Sequence, residues 1–296
     1  MLPSIEQLHQ SYKNSQTTVK KVVEDILANI QAKDTEINAY TEVFHTEALQ
    51  QAEIVDAKLA KGEKIGLLEG VPISVKDAIL IEGHKATASS RMLEDYTATY
   101  DATVIKKLKE AGVIFLGKNN LDEFAMGAST ENSAFGATRN PTDIDRVPGG
   151  SSGGSAASVA GDMAVISIGS DTGGSIRQPA SLTGIVGLKP TYGRVSRFGL
   201  IAMASSLDQI GPFAHRVIDT AHILQTIEGQ DSMDATSANL EASQLLDIDK
   251  IRQAEIKGMK IGIPKEYFID GIEPEVRKAI DEVTVSYTHL TLPTKA

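Results

Sequence analysis

Two Gly-Gly-Ser elements, Gly149-Gly150-Ser151 and Gly173-Gly174-Ser175, stand 24 positions apart and each ends on a hydroxyl. Between them run Ser152-Gly153-Gly154-Ser155-Ala156-Ala157-Ser158-Val159-Ala160 and then Gly169-Ser170-Asp171-Thr172. A segment this poor in side chains has little apolar surface of its own to bury. It is ordered only where its backbone packs tightly against a larger core. Glycine permits that approach and lets successive N–H groups point into one concavity. The rest of the chain must therefore build a rigid scaffold around 148–179.

The composition supports such a scaffold. The chain has 296 residues, 41% hydrophobic and 23% charged, close to the globular average. With 5% aromatics and no Trp, the core is expected to rest on Ala, Val, Ile and Leu. A net charge of −10 argues against a general nucleic-acid binder, which needs a basic face. The absence of Cys removes disulfides, thiolate nucleophiles and Cys-based metal sites, and fits a reducing cytosol. Met1-Leu2-Pro3-Ser4-Ile5-Glu6 does not read as a signal peptide. No apolar run approaches the roughly 18 residues of a membrane helix.

Strand and helix patterns alternate along the chain. Helical spacing covers 18–33, 46–61, 101–111 (with Asp101 as the expected cap), 152–160, 216–227 and Glu273–Val283, the last opened by Pro274. Strand-type runs cover 71–75, 113–116, Met163–Ile168, Ile185–Leu188 and Met259–Ile263. The alternation predicts an α/β sandwich. After Thr284 the helical pattern stops without a cap and acidic residues vanish. Residues 1–284 are therefore expected to form one domain, incomplete at its C-terminus, and 285–296 an atypical tail.

A serine hydroxyl that attacks a carbonyl needs a base. His9, His45, His84, His215, His222 and His289 all lie outside the Gly-rich segments, so each reads as a surface or packing residue. A Ser–Lys arrangement is the remaining option. Lys76 directly follows the apolar run Val71–Val75, which places its stem at the end of a buried strand. A neutral amine at pH 7 needs its pKa moved down by roughly 3 units from ~10.4, about 4 kcal/mol. Burial among hydroxyls can do that. Taken alone, Lys76 reads equally well as an ion-pair partner of Asp77.

Three stretches together break that tie. Val71-Pro72-Ile73-Ser74-Val75-Lys76-Asp77, then 149–155, then Gly169-Ser170-Asp171-Thr172-Gly173-Gly174-Ser175-Ile176-Arg177 resemble the amidase signature family in content and order. The resemblance implies an α/β/α sandwich, a mixed sheet covered by helices on both faces. It implies Ser175 as nucleophile, Ser151 on a cis peptide bond as the bridge, and Lys76 as the base. The N–H groups of Thr172, Gly173, Gly174 and Ser175 would form an oxyanion hole. Met126, Gly127 and Ser129 would contact substrate. Asp171 and Arg177 flank Ser175 and, by position, read equally as a pair that sets its loop and as a purely structural ion pair, with neither catalytic. The segments 119–127, 191–200, 205–212 and 262–267 resemble, within that family, the glutaminase subunits of glutamyl-tRNA(Gln) amidotransferases. That likeness implies release of ammonia from glutamine in the cytoplasm, inside a heterotrimer with B and C subunits. The B subunit would use ATP and Mg and contact misacylated Glu-tRNA(Gln). This chain would need no cofactor, metal or membrane.

Two other readings stay open at this stage. A stand-alone amidase of the same family fits the triad equally well. An inactive fragment fits the length, because family members run well past 296 residues and complete the glutamine pocket there. The chain by itself is then expected to be poorly stable and weakly active. Three patterns are decoys. Gly112 to Lys118 nearly matches a P-loop, but its middle is a strand-type run and Asn119 replaces the hydroxyl residue. Gly149-Gly150-Ser151-Ser152-Gly153 matches the nucleophile elbow of α/β-hydrolases, but a loop precedes it instead of a strand. Asp231 and Asp234 meet no Ca²⁺-loop spacing and read as a solvated loop.

Overall fold

A computed structural model describes residues 1–241, 245–253, 260 and 262–291. It divides into two units, 1–246 and 247–296. The first holds a six-stranded sheet in the order β1-β3-β2-β4-β6-β5, where β1 is Tyr40–Val43, β2 Pro72–Lys76, β3 Ile114–Asn119, β4 Ile166–Asp171, β5 Val186–Gly187 and β6 Gln209–Ala214. The central β3-β2-β4 pairs are parallel, and the β1, β6 and β5 pairings are antiparallel, so the sheet is mixed. Every residue of β2, β3, β4 and β6 is buried, as expected for strands covered on both sides.

Strand alternation shows which helices cover which face. On β6, Phe213 clusters with Ala156 and Val159 of α5 (Gly153–Ala160) and Ala180 of α6 (Arg177–Thr183). Its neighbours Ile210 and Ala214 join the main core with Ile223, Leu224 and Ile227 of α7 (Val217–Ile227). Helices therefore lie on both faces, as the resemblance implied. Val71, just before β2, and Ile73 and Val75 on it enter the main core. Ser74 faces α5 instead, its Oγ 3.0 Å from Ser158 Oγ. Lys76 has the parity of Ser74, so it leaves the strand on the α5 side.

The small residues of α5 pack it onto the sheet. A Cβ on Gly154 would lie 2.4 Å from the Asn120 carbonyl oxygen and 2.6 Å from that of Ala39. Both obstacles are backbone and cannot swing aside. Gly154→Ala is therefore expected to destabilise the protein by about 1–3 kcal/mol, read as a lower urea midpoint at unchanged m-value.

The remaining first-unit helices are α1 (Ile5–Lys13), α2 (Val19–Ile37), α3 (His45–Ala60) and α4 (Thr103–Glu110). The expected helix over 18–33 runs on to Ile37 and ends at Asn38 in the left-handed region, φ 56°. Asp101 does not cap α4: Ala102 holds that position, and the Asp101 carboxylate pairs with Lys109 and accepts from the Glu82 N–H. Helix α1 is an addition to the expected elements, although Ser4 and Gln7 form a capping box whose S-x-x-Q spacing is visible in the sequence. Strands β1 and β6 and helix α6 are additions as well; β6 contains Gly211 and Pro212, which mask its strand character. In the second unit, α8 spans Ile248–Gln253 and α9 spans Pro274–Thr291, so the last helix continues beyond Val283. Of the strand expected over Met259–Ile263, residues 260, 262 and 263 are not in a strand, while 259 and 261 lie outside the described residues, as do 292–296 of the expected tail.

Candidate active site

Lys76 ends β2 with its side chain fully buried. Its Nζ donates to three serine hydroxyls: Ser151 at 2.8 Å, Ser152 at 2.8 Å and Ser170 at 3.0 Å. Asp77, the rival partner, turns the other way. It accepts from Thr87 and lies 3.2 Å from Lys118 Nζ. Lys118, the apparent P-loop lysine, is a buried residue of β3 that also donates to the Ile79 and Lys85 carbonyls.

Burial lowers the Lys76 pKa to about 7, against the opposing pull of Asp122, Asp171 and Asp208. Near neutrality the amine is thus present in both forms. An ammonium offers three protons, matching three hydroxyls. A neutral amine offers two and a lone pair, so one hydroxyl must then donate to it. Ser152 cannot, because its proton goes to the Ser170 carbonyl at 2.9 Å. Ser151 and Ser170 remain, and only Ser151 sits on the Gly-Gly loop that reaches toward Ser175.

That loop is held from several sides. The Gly150–Ser151 peptide is cis. Gly150 N–H donates to Gln178 Oε1 at 2.9 Å, Thr130 Oγ1 donates to the Gly149 carbonyl at 2.8 Å, and Asp122 N–H donates to the Ser151 carbonyl at 3.2 Å. Ser175 lies just before α6 and is 8% exposed. Its carbonyl accepts from Ser152 N–H at 3.3 Å. Among the described residues its hydroxyl makes no hydrogen bond, to Ser151 or otherwise. The structure therefore joins Lys76 to Ser151 through side chains, and Ser175 to this loop through backbone.

The turn carrying Ser175 wraps around one carboxylate. Asp171 accepts N–H bonds from Gly174 at 2.8 Å, Ile176 at 3.0 Å and Arg177 at 3.3 Å. It also takes both arms of the Arg177 guanidinium, at 3.0 and 2.9 Å. Despite its burial, these bonds lower the Asp171 pKa. The expected pairing of Asp171 with Arg177 is present. One expected oxyanion donor is engaged elsewhere: the Gly174 N–H points at Asp171. Thr172, Gly173 and Ser175 keep N–H groups without a partner among the described residues.

Ser175 opens on a cavity of about 220 Å³ whose walls include Gly127, Ala128, Gly150, Gly173 and Gln178. Of the three expected substrate contacts, Gly127 lines this cavity. Met126 is 59% exposed and, like Ser129, is not among the lining residues. Sequence reasoning misses Ser152 and Ser170 as partners of Lys76, and Gln178 as the clamp between Gly150 and the Ala128 carbonyl. Ser170 stands inside one of the motif stretches, but its side-chain direction is not legible there. Asp234, of the apparent cation loop, is paired with Arg197. Among the described residues no helix is long and apolar enough to cross a membrane.

The amidase family matches residues 21–289, nine-tenths of the chain. The chain belongs to the amidase family. The A subunit of glutamyl-tRNA(Gln) amidotransferase from Carboxydothermus hydrogenoformans is 55% identical over 279 residues, covering 94% of this amidase and 57% of that protein. The crystal structure of the corresponding glutamyl-tRNA(Gln) amidotransferase chain from Thermotoga maritima superposes with a TM-score of 0.81 at 43% identity, covering 95% of this chain and 60% of that one. A chain from a vestigial protein complex, solved for the evolutionary origins of an s-triazine catabolic enzyme, gives a TM-score of 0.91 at 38% identity, covering 97% and 62%. This amidase thus spans about three fifths of the length of the relatives it matches.

Proposed function

We propose that this chain is the glutamine-hydrolysing part of a tRNA-dependent amidotransferase. The observation that carries the chemistry is a buried lysine whose amine, with a pKa near 7, is bound to Ser151 beside the Ser175 turn. The likeness to A subunits of glutamyl-tRNA(Gln) amidotransferases supports glutamine as the substrate.

In this reading neutral Lys76 takes the Ser151 proton as Ser151 takes the Ser175 proton. Substrate binding closes the Ser151–Ser175 link; catalytic hydrogen bonds are commonly loose before the substrate arrives. Ser175 Oγ then attacks the side-chain amide carbon of glutamine. The oxyanion meets the N–H groups of Thr172, Gly173 and Ser175, each worth about 3 kcal/mol in such sites. The C–N bond breaks, the proton returns through Ser151 to the leaving nitrogen, and ammonia departs. Water, deprotonated along the same route, releases glutamate from the Ser175 ester. The ammonia passes to a B subunit that activates misacylated Glu-tRNA(Gln) with ATP and Mg, and a C subunit braces the pair in the cytoplasm.

The test is trapping. The protein assembled with its partner subunits is expected to show a γ-glutamyl adduct on the Ser175 peptide after a rapid acid quench with glutamine. No adduct and no glutamate release would refute the assignment. Fast turnover of a simple amide without partners would point to a stand-alone amidase.

A further inference from the structure

The Asp122 carboxylate takes no step in the proposed reaction, yet it lies beneath the residues that do. It is fully buried. One carboxylate oxygen, Oδ1, accepts from the Asn132 N–H at a long 3.4 Å. The other, Oδ2, has no hydrogen-bond partner among the described residues. A buried carboxylate oxygen left unpaired is costly and calls for an explanation. Two glycines of the cavity wall rest on it. A Cβ on Gly150 would lie 2.1 Å from Oδ2, and one on Gly127 would lie 2.3 Å from its carboxyl carbon. Its backbone N–H holds the Ser151 carbonyl. Asp122 therefore touches both cavity glycines and the residue bonded to Lys76.

We propose that Asp122 is a positioning residue: its carboxylate props the Gly127 and Gly150 loops and supplies the negative charge that Lys76 meets when it takes up the Ser151 proton. The inference rests on the proposed roles of Lys76 and Ser175. The other acidic groups acting on Lys76 are already committed. Asp171 is held by Arg177 and three N–H groups. Asp208 is held by Thr172 Oγ1 and the N–H groups of Met203 and Ala204. Asp122 keeps an unshared oxygen, and among these three it opposes the effect of burial on Lys76 most strongly. Asp122 is then the first of three carboxylates that help a deeply buried amine hold a proton, and the one whose side chain is least committed elsewhere.

A fluorophosphonate probe tests this without glutamine, because it reads activation of Ser175 directly. Its labelling rate on the purified 296-residue chain, followed by mass spectrometry of the Ser175 peptide, is expected to rise with pH as Lys76 loses its proton. Asp122→Asn keeps the shape and removes the charge. Its labelling midpoint is expected about 1 pH unit lower, the effect of one nearby charge, with a plateau rate reduced about tenfold. Gly127→Ala keeps the charge but pushes the carboxylate aside, and its midpoint is expected to move the same way by less. An unmoved midpoint in whichever variant still melts cooperatively overturns the inference. So does a rate loss without a midpoint shift, which marks a merely structural part. Wild-type protein that never labels at Ser175 overturns instead the reading on which the inference rests, and the inference with it.

Discussion

Ser175→Ala is expected to lower glutamine hydrolysis by on the order of 10⁴-fold or more, leaving only what binding and oxyanion donors provide. The prediction separates chemistry from folding unusually well. The Ser175 hydroxyl makes no hydrogen bond among the described residues and the residue is 8% exposed. Its loss should therefore change stability by only about 0.5 kcal/mol. Glutamate release by the assembled protein and a urea melt of the same preparation check the two halves. An alanine variant that still hydrolysed glutamine at a tenth of the normal rate would move the nucleophile elsewhere, with Ser151 the next hydroxyl to test.

Lys76→Met makes the second large prediction, and it concerns pH. The folded protein holds the Lys76 pKa near 7, against 10.5 for a free side chain. Because the folded value is the lower one, the unfolded chain binds the proton more tightly between pH 7 and 10.5. Stability from this residue therefore rises with pH across that window and is lowest below pH 7, where both states are charged. The full penalty of holding the ammonium in place corresponds to about 5 kcal/mol. Lys76→Met removes the titration. Wild type is expected to gain about 2–3 kcal/mol on the variant between pH 7 and pH 9, other groups cancelling in the comparison. The offset at pH 7 depends on how Ser151, Ser152 and Ser170 repair their lost donor, but the slope does not. Catalysis should fall by about 10³-fold or more in the same variant. Parallel pH profiles of stability would show that the amine is not depressed, and so not a resting base, in which case the proposed proton route fails.

Much of the site is legible in the sequence because it is carried by contiguous residues. Lys76 at the end of an apolar run reads as a buried base or as a partner of Asp77, and it is the resemblance carried by 71–77, 149–155 and 169–177 that joins it to the serines of the Gly-Gly-Ser elements before any fold is known. The strands β2, β3 and β4 fall within a few residues of their expected places, because their β-branched runs are short and bounded. The segments that mislead do so for local reasons. Gly211 and Pro212 disguise β6, whose strand state is set by pairing with β4 and not by propensity. Asp101 looks like a cap, but Lys109 and the Glu82 N–H give its carboxylate other work.

The sequence alone determined the chemical inventory and its order: one amine, a set of hydroxyls, and glycines free to bring backbone close. It could do so because residue type and short spacing fix what a segment is able to present. Only the tertiary structure decided the pairings. Ser170 comes to Lys76 from 94 positions away, Lys118 draws Asp77 aside, Asp171 claims the Gly174 N–H, and Asp122 slides under two glycines of separate loops. Each of these depends on strand register and on which face of the sheet a side chain leaves. Burial, which moves the Lys76 pKa, exists only once both faces of that sheet are covered.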